Sequence, residues 1–471
     1  MEKKKIKIGI LGAGISGLSI AYQLVKNENF DVKVFEKNSE PGGSMTTKQI
    51  GDFLVDFGPN SGLETTPLIR EMVEAIGLGE EMVYANEAAN KRYILRNNSL
   101  RKLPTSPIDF MFSRLFSIEG KLRLFAEPFI PRFNGNYDES IYDFVVRRLG
   151  YEFADYAIDP FVSGVYAGDP GALCVKSAFP KVKALEDKYG GLIKGMILGA
   201  KERKKRKETS KNYAKMFTFL NGMQSFPKAL TKYLGDRVVL NFDIQRIGRG
   251  DNDGYSIEGF DLYRDYKEHE FDILISTLPA YKLTEIIPDL DKDIISILRR
   301  IYYPRVKVMM AVFKKEHIGR PLDGFGFLIP GREKKKFLGA IWSSTIFPNR
   351  APEGYASFTI FMGGARAPKD SLFSDEEIKK MALAEFKEIM KIKESFVFLQ
   401  EMTWEKAIPQ YNLGYPDIEN KFQDFEKKFP GVLLAGNYRG GISVGDCVKN
   451  SQTVLERVNK LVEETELLKT E

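Results

Sequence analysis

Gly12, Gly14 and Gly17 stand in G-x-G-x-x-G spacing, and an acid, Glu36, follows downstream. Residues of these types can hold a dinucleotide. Gly12 allows a tight turn, Gly14 lets a pyrophosphate approach the backbone, and Gly17 lets a helix pack closely on a sheet. Glu36 would accept hydrogen bonds from a ribose 2′-OH and would repel a 2′-phosphate, which disfavours NADP. The chemistry needs a strand before the turn, a helix after it, and a second strand ending at the acid. The sequence supplies all three. Residues 6–11 alternate like a buried strand, 18–25 read as a helix, and 31–35 read as a second strand. The helix N-terminus offers free N–H groups and a positive dipole end to phosphates. Residues 8–25 carry no charge and follow a lysine cluster, so a signal peptide or membrane span competes. The run is Gly-rich, short for a span, and leads into a matched strand rather than a cleavage site.

The rest of the composition leaves redox chemistry to a cofactor. The chain has 471 residues, enough for about three domains. Its net charge of +6 is modest at this length. Two cysteines, Cys174 and Cys447, exclude a disulfide framework and fit a reducing, cytoplasmic setting. Two histidines, His269 and His317, both in polar stretches, speak against a His-centred triad or a His/Cys metal site, so no metal is expected. A bound dinucleotide cofactor would carry a redox step itself.

Strand and helix patterns divide the chain. Residues 93–103 read as a hairpin turning at Asn97-Asn98. From 107 to about 215 the texture is helical, with helices expected at 141–149 and 155–166. Residues 190–207 pair an apolar face (Leu192, Ile193, Met196, Ile197) with a basic run. That suits a peripheral contact with anionic lipid, and equally a solvated basic loop. Nucleic-acid binding is not expected, because no aromatics interleave the charges. Nucleotide-fold texture returns near Met216, with strands at 238–240 and 271–276. Residues 283–401 read as an antiparallel sheet with helical cover. A strand at 432–435, Gly436 and a helix at 448–461 close the chain. The expected fold is α/β: a discontinuous Rossmann-like domain (1–90, 216–282, 405–471), a helical insertion (91–215) and an antiparallel-sheet substrate domain (283–404).

Pro41-Gly42-Gly43 resembles the Gly-Gly pair of FAD enzymes of the amine-oxidase superfamily, although Ser44 follows where many of those enzymes carry Arg. The segment LLAGNYRGGISVGDCVKNS resembles the C-terminal FAD motif of the protoporphyrinogen oxidase family. GAGISGLS, LVDFGPNS, KRYILRNNSLRKLPTSP, SGVYAGDP, SAFPKV, TFLNGMQSFPKAL, GFGFLIP and AIPQYNLGY extend that resemblance over nearly the whole chain.

The resemblance implies non-covalent FAD, no metal, and oxidation of a porphyrinogen to a porphyrin in two-electron steps. Oxygen would be the acceptor and hydrogen peroxide the product. It implies that Gly12, Gly14, Ile15, Ser16, Gly17, Glu36, Lys37, Gly42, Gly43, Ser44, Gly58, Pro59 and Asn60 line the FAD site. Val239 would meet adenine through its backbone. Gly436, Ser443, Val444 and Asp446 would lie near the pyrophosphate or ribityl chain. Arg92 would meet a substrate propionate, with a solvated strand-end Arg as the plainer alternative. Gly164 would face the macrocycle through its backbone. Leu328, Ile341 and Phe361 would sandwich its rings, or simply be sheet core. Coproporphyrinogen III, with four propionates instead of two, is the rival substrate. An amine oxidase, a desaturase or a non-catalytic tetrapyrrole carrier are further rivals. Oligomeric state is not readable from the sequence.

Overall fold

The computed structural model describes residues 5–206, 214–250, 254–287, 291–367 and 373–468. A five-stranded parallel sheet takes strands from three distant parts of the chain. Its order is Val238–Val239, Phe30–Phe35, Ile6–Leu11, Ile273–Ser276, Val432–Leu434. Such a sheet is covered on both faces, which accounts for the near-continuous apolar runs of its strands. Helices Ile15–Leu24, Ser225–Leu234 and Val444–Leu468 pack together over one face. Ile8, Leu18, Ile20, Phe226, Val448 and Val454 lie buried between them.

A seven-stranded sheet stands beside it, in the order Phe398–Trp404, Val306–Lys314, Tyr355–Gly363, Gly339–Ile341, Gly324–Leu328, Lys91–Arg96, Ser99–Lys102. Its pairs are antiparallel except that of Gly324–Leu328 with Lys91–Arg96. One face is closed by helix Asp375–Met390, whose Phe386 packs on Phe313, Phe327, Phe337 and Phe358. Alternation sends the neighbouring side chains to the opposite face. The hairpin at 91–102 belongs to this sheet, although the expected boundary at 91 grouped it with the helices.

The helical segment differs from expectation at 155–166. Short helix Tyr151–Phe153 passes into a π-helical turn, Ala154–Ile158, and then helix Asp159–Tyr166. Pro160 lacks an N–H and cannot continue a regular hydrogen-bond ladder through this point. The last helix begins at Val444 rather than 448, because Ser443 already caps it: its Oγ accepts from the Asp446 N–H at 3.1 Å.

The apolar–basic segment forms helix Leu192–Arg206. Leu192 is buried, while Met196 and Ile197 are exposed. Lys207 lies outside the described residues. The Glu127 carboxylate, fully buried, accepts from the N–H groups of Leu192 (2.7 Å) and Ile193 (3.1 Å). Arg148, also fully buried, pairs with Glu127 and with Glu186. Truncating Arg148 would leave the Glu127 carboxylate buried without its cation, whereas Glu186 keeps Arg147 and Lys183. Arg148→Ala is expected to cost about 3–5 kcal/mol, seen by circular dichroism as an earlier first transition in urea. A transition at the wild-type position would contradict this account.

Candidate active site

Strand Ile6–Leu11 ends in the glycine turn, and helix Ile15–Leu24 leaves it with Gly14 at its N-cap and no side-chain cap. Its first N–H groups are thus left to a ligand. A Cβ at Gly17 would lie 2.1 Å from the Gly12 carbonyl oxygen, so only glycine lets helix and turn meet this closely. At Gly14 a Cβ would meet nothing within 4 Å. That space lies in front of the helix. Ile15 is buried and Ser16 half-buried at the start of the helix.

Other segments close in on this turn. Gly42 bridges to Gly14, and Gly43 packs against the Gly14 Cα. The Glu36 carboxylate, buried at the end of strand Phe30–Phe35, accepts from the Ala13 N–H at 3.0 Å. Its second oxygen accepts from the Asn38 N–H (3.0 Å) and side-chain amide (2.8 Å). Lys37 points away to Asp243 at 3.1 Å. The Val239 carbonyl accepts from the Glu36 N–H at 2.9 Å, which leaves it one lone pair. Gly58 runs against the loop after the Gly-Gly pair: a Cβ there would lie 1.7 Å from the Ser44 carbonyl oxygen. Pro59 follows half-buried, and the Asn60 amide donates to the Asp56 carbonyl at 3.1 Å while its own oxygen stays buried and unpaired.

The C-terminal segment approaches from the far side. Gly436 follows strand Val432–Leu434, facing Thr277 across the sheet edge. Ser443 and Asp446 bond to each other at 2.6 Å, and Val444 is buried. Their polar atoms are occupied with capping the last helix, whatever else they do.

Arg92, Leu328, Ile341 and Phe361 converge on the open face of the seven-stranded sheet. Register places Arg92, Gly326, Ile341, Thr359 and Met310 in one transverse row. Ile94, Leu328, Gly339, Phe361 and Val308 form the next. Leu328, Ile341 and Phe361 are only half-buried, unlike Phe327, Ala340 and Ile360 on the closed face. Gly164, on helix Asp159–Tyr166, comes down onto Leu328; a Cβ there would lie 2.6 Å from that side chain. The Arg92 guanidinium sits 5.5 Å from the Phe325 ring and has no carboxylate partner among the described residues. Crowding by protein on its inner side lowers its pKa from the ordinary arginine value, while the residue stays exposed enough to remain charged.

A small cavity joins the two groups. It is lined by Asp56 and Asn60 from the turn side and by Ile341, Thr359 and Arg350 from the sheet side. The buried Asp56–Arg350 ion pair (3.2 Å) forms its floor. Sequence reasoning missed this pair: Asp56 lies inside a quoted motif, but Arg350 lies in none. It also missed Thr277, whose hydroxyl donates to the carbonyls of Leu11 (2.9 Å) and Gly12 (3.2 Å) and ties the middle strand to the turn. A polar residue directly after the strand FDILIS was the available signal.

Comparison with known proteins agrees with this geometry. Residues 15–458 match the family described as flavin containing amine oxidoreductase. The mitochondrial protoporphyrinogen oxidase of Nicotiana tabacum is 31% identical over 97% of this chain and 95% of its own. The coproporphyrinogen III oxidase of Bacillus subtilis is 25% identical over 97% of this chain and 98% of its own. A crystal structure of a putative protoporphyrinogen oxidase from Exiguobacterium superposes with a TM-score of 0.79 at 21% identity, over 98% of this chain and 100% of that one.

The open space at Gly14 yields a sharp test. Gly14→Ala adds a carbon only where nothing of the protein stands within 4 Å. The apoprotein should keep its thermal transition, while bound flavin, read by absorbance near 450 nm, falls at least about tenfold, roughly 1.4 kcal/mol of binding. Retention of full flavin content would remove the glycine turn from the cofactor site.

Proposed function

We propose that this chain, which belongs to the flavin containing amine oxidoreductase family and groups within it with the protoporphyrinogen oxidases, oxidises a porphyrinogen to the corresponding porphyrin. The observation that carries the reading is Arg92: an unpaired, partly desolvated cation at the edge of an apolar wall. A flat apolar macrocycle with carboxylate arms suits both features. Leu328, Ile341 and Phe361 would press on its rings, and Arg92 would take a propionate in a bidentate contact. Gly164 would close over the ring edge.

Gly12, Gly14, Ile15, Ser16, Gly17, Gly42 and Gly43 would hold the pyrophosphate of FAD, with Glu36 on the ribose. The turn around Gly58, Pro59 and Asn60, between glycine site and sheet wall, would face the ring system. When bound, FAD would supply the acceptor for hydride leaving a ring-bridging carbon of the substrate, and its reoxidation by oxygen would yield hydrogen peroxide. Three such steps complete a six-electron aromatisation. The protein's contribution is to orient the macrocycle and exclude water. FAD is held without a covalent bond. Burial pushes the Cys447 thiol up to about 11, and a thiol so protonated is a poor nucleophile toward a flavin.

Protoporphyrinogen IX is favoured over coproporphyrinogen III. Arg96, Arg332 and Arg366 near the cleft already carry carboxylate partners, which leaves Arg92 for a substrate with few propionates. No helix of the described residues is long and apolar enough to cross a membrane. Ile108, Phe112, Ile118, Leu122 and Phe129 are nonetheless exposed on the helical segment. They and Met196 and Ile197 are the apolar side chains that would rest on a lipid headgroup layer, in keeping with a cytoplasmic protein that contacts its membrane peripherally.

Oxygen-dependent porphyrin fluorescence, measured in parallel on both porphyrinogens, tests the reading; faster turnover of protoporphyrinogen IX is expected. Preference for coproporphyrinogen III would reassign the substrate, and no rate above spontaneous oxidation would end the proposal. Arg92→Ala should raise KM about 10–100-fold, the range of one charged hydrogen-bonded contact, with flavin content unchanged. Cys447→Ser should leave flavin content unaltered, and acid precipitation of the wild type should release all yellow colour to the supernatant.

A further inference from the structure

Three acids occupy one face of the helical stretch that leads to Gly164. They are Glu152, Asp155 and Asp159, spaced three and four apart, as residues sharing a helix face are. Each meets an arginine from the seven-stranded sheet or its loops. Glu152 pairs with Arg96 at 2.7 Å, Asp155 with Arg332 at 2.7 Å, and Asp159 with Arg366. The acids are largely buried in this seam, with side-chain exposures of 18%, 13% and 12%.

The contacts are mutual rather than superficial. Asp159 also accepts from the Gly331 N–H at 2.7 Å, and Arg366 donates to the Ile329 carbonyl at 3.2 Å. Asp155 also accepts from the Tyr142 hydroxyl at 2.9 Å. Tyr156 lies between two of the arginines, 4.3 Å from Arg96 and 5.9 Å from Arg332. The π-helical turn Ala154–Ile158 sits in the middle of the acid row, and such turns are frequent at functional sites.

Five residues beyond Asp159, Gly164 rests directly on Leu328. A flat ring lying between them needs about 7 Å, twice the usual contact distance. For a macrocycle to enter between them, the Leu328 side chain turns aside or the helix lifts from the sheet. The seam is what opposes the lifting.

We propose that the seam of Glu152, Asp155 and Asp159 with Arg96, Arg332 and Arg366 is the fastener that sets the gap between Gly164 and Leu328, and so gates the macrocycle's entry and exit. Asp159 and Arg366 are positioning residues here, touching neither cofactor nor substrate. The gating role rests on the porphyrinogen reading; the mechanical role does not.

The test uses holoenzyme. In Asp159→Asn the shape is kept and the charge removed. Amides of residues 161–166 should exchange hydrogen at least about tenfold faster, while those of helix Ile15–Leu24 stay unchanged. Arg366→Gln should do the same. The double variant should match the singles rather than multiply them, because each acts through the other. Unchanged exchange at 161–166, or equal acceleration in both helices, would overturn the fastener. Stopped-flow binding of the porphyrin product, per bound flavin, should show association and dissociation both accelerated about threefold or more, with the Kd for the porphyrin nearly unchanged. Rates equal to wild type would overturn the gate. If wild-type enzyme binds no porphyrin at all, the porphyrinogen reading falls, while hydrogen exchange still decides the fastener.

Discussion

The pairing of strand Ile273–Ser276 with strand Ile6–Leu11 is the contact on which the rest of the molecule depends. It runs in register from Ile8 against Ile273 to Leu11 against Ser276. It delivers Thr277 to the glycine turn, where its hydroxyl holds the carbonyls of Leu11 and Gly12. The same strand receives Val432–Leu434 on its other side, which brings Gly436 and the last helix to the site. A parallel pair of this kind needs a crossover between its strands. In this chain the crossover is most of the protein, and the helical insertion hangs from it.

Long-range closure has a cost that apolar burial must offset. Bringing distant segments together loses chain entropy, though the loss grows only slowly with loop length. Helices Ile15–Leu24 and Val444–Leu468, from opposite ends of the chain, pack face to face with Leu18, Val448 and Val454 buried. The seven-stranded sheet is anchored differently. Phe386 gathers four aromatic rings on the closed face, each contact adding about 0.5–1.5 kcal/mol beyond burial. Closing one face so firmly leaves the other free to stay half-open, and function sits there. The same division explains why Leu328, Ile341 and Phe361 are half-buried while their strand neighbours are buried.

Charge follows the same division. Most arginines near the cleft are paired with acids of the helical segment, and they position that segment. Among the described residues Arg92 has no acid partner, and it stands exposed beside apolar surface. The buried Asp56–Arg350 pair is of a third kind. It braces the turn at Gly58 against the sheet, with Arg350 donating also to the Thr218 hydroxyl at 2.9 Å and the Phe219 carbonyl at 3.2 Å.

The glycine turn, its flanking strands and Glu36 were legible in the sequence because their chemistry is local. Backbone approach and helix start are decided within a few residues. The α/β class was also legible, since strand and helix periodicities mark the element types, whereas Leu328, Ile341 and Phe361 were marked by the family resemblance alone. Other features depended on the tertiary structure. The hairpin at 91–102 joined the sheet through pairing with Gly324–Leu328, a partner that its own pattern does not name. The π-helical turn before Pro160 and the seam of acids and arginines arose between segments whose meeting no local rule specifies. Asp56 found Arg350, and Arg92 found no acid among the described residues, for the same reason: electrostatic partners are chosen by packing, and packing is settled only when distant strands have taken their register.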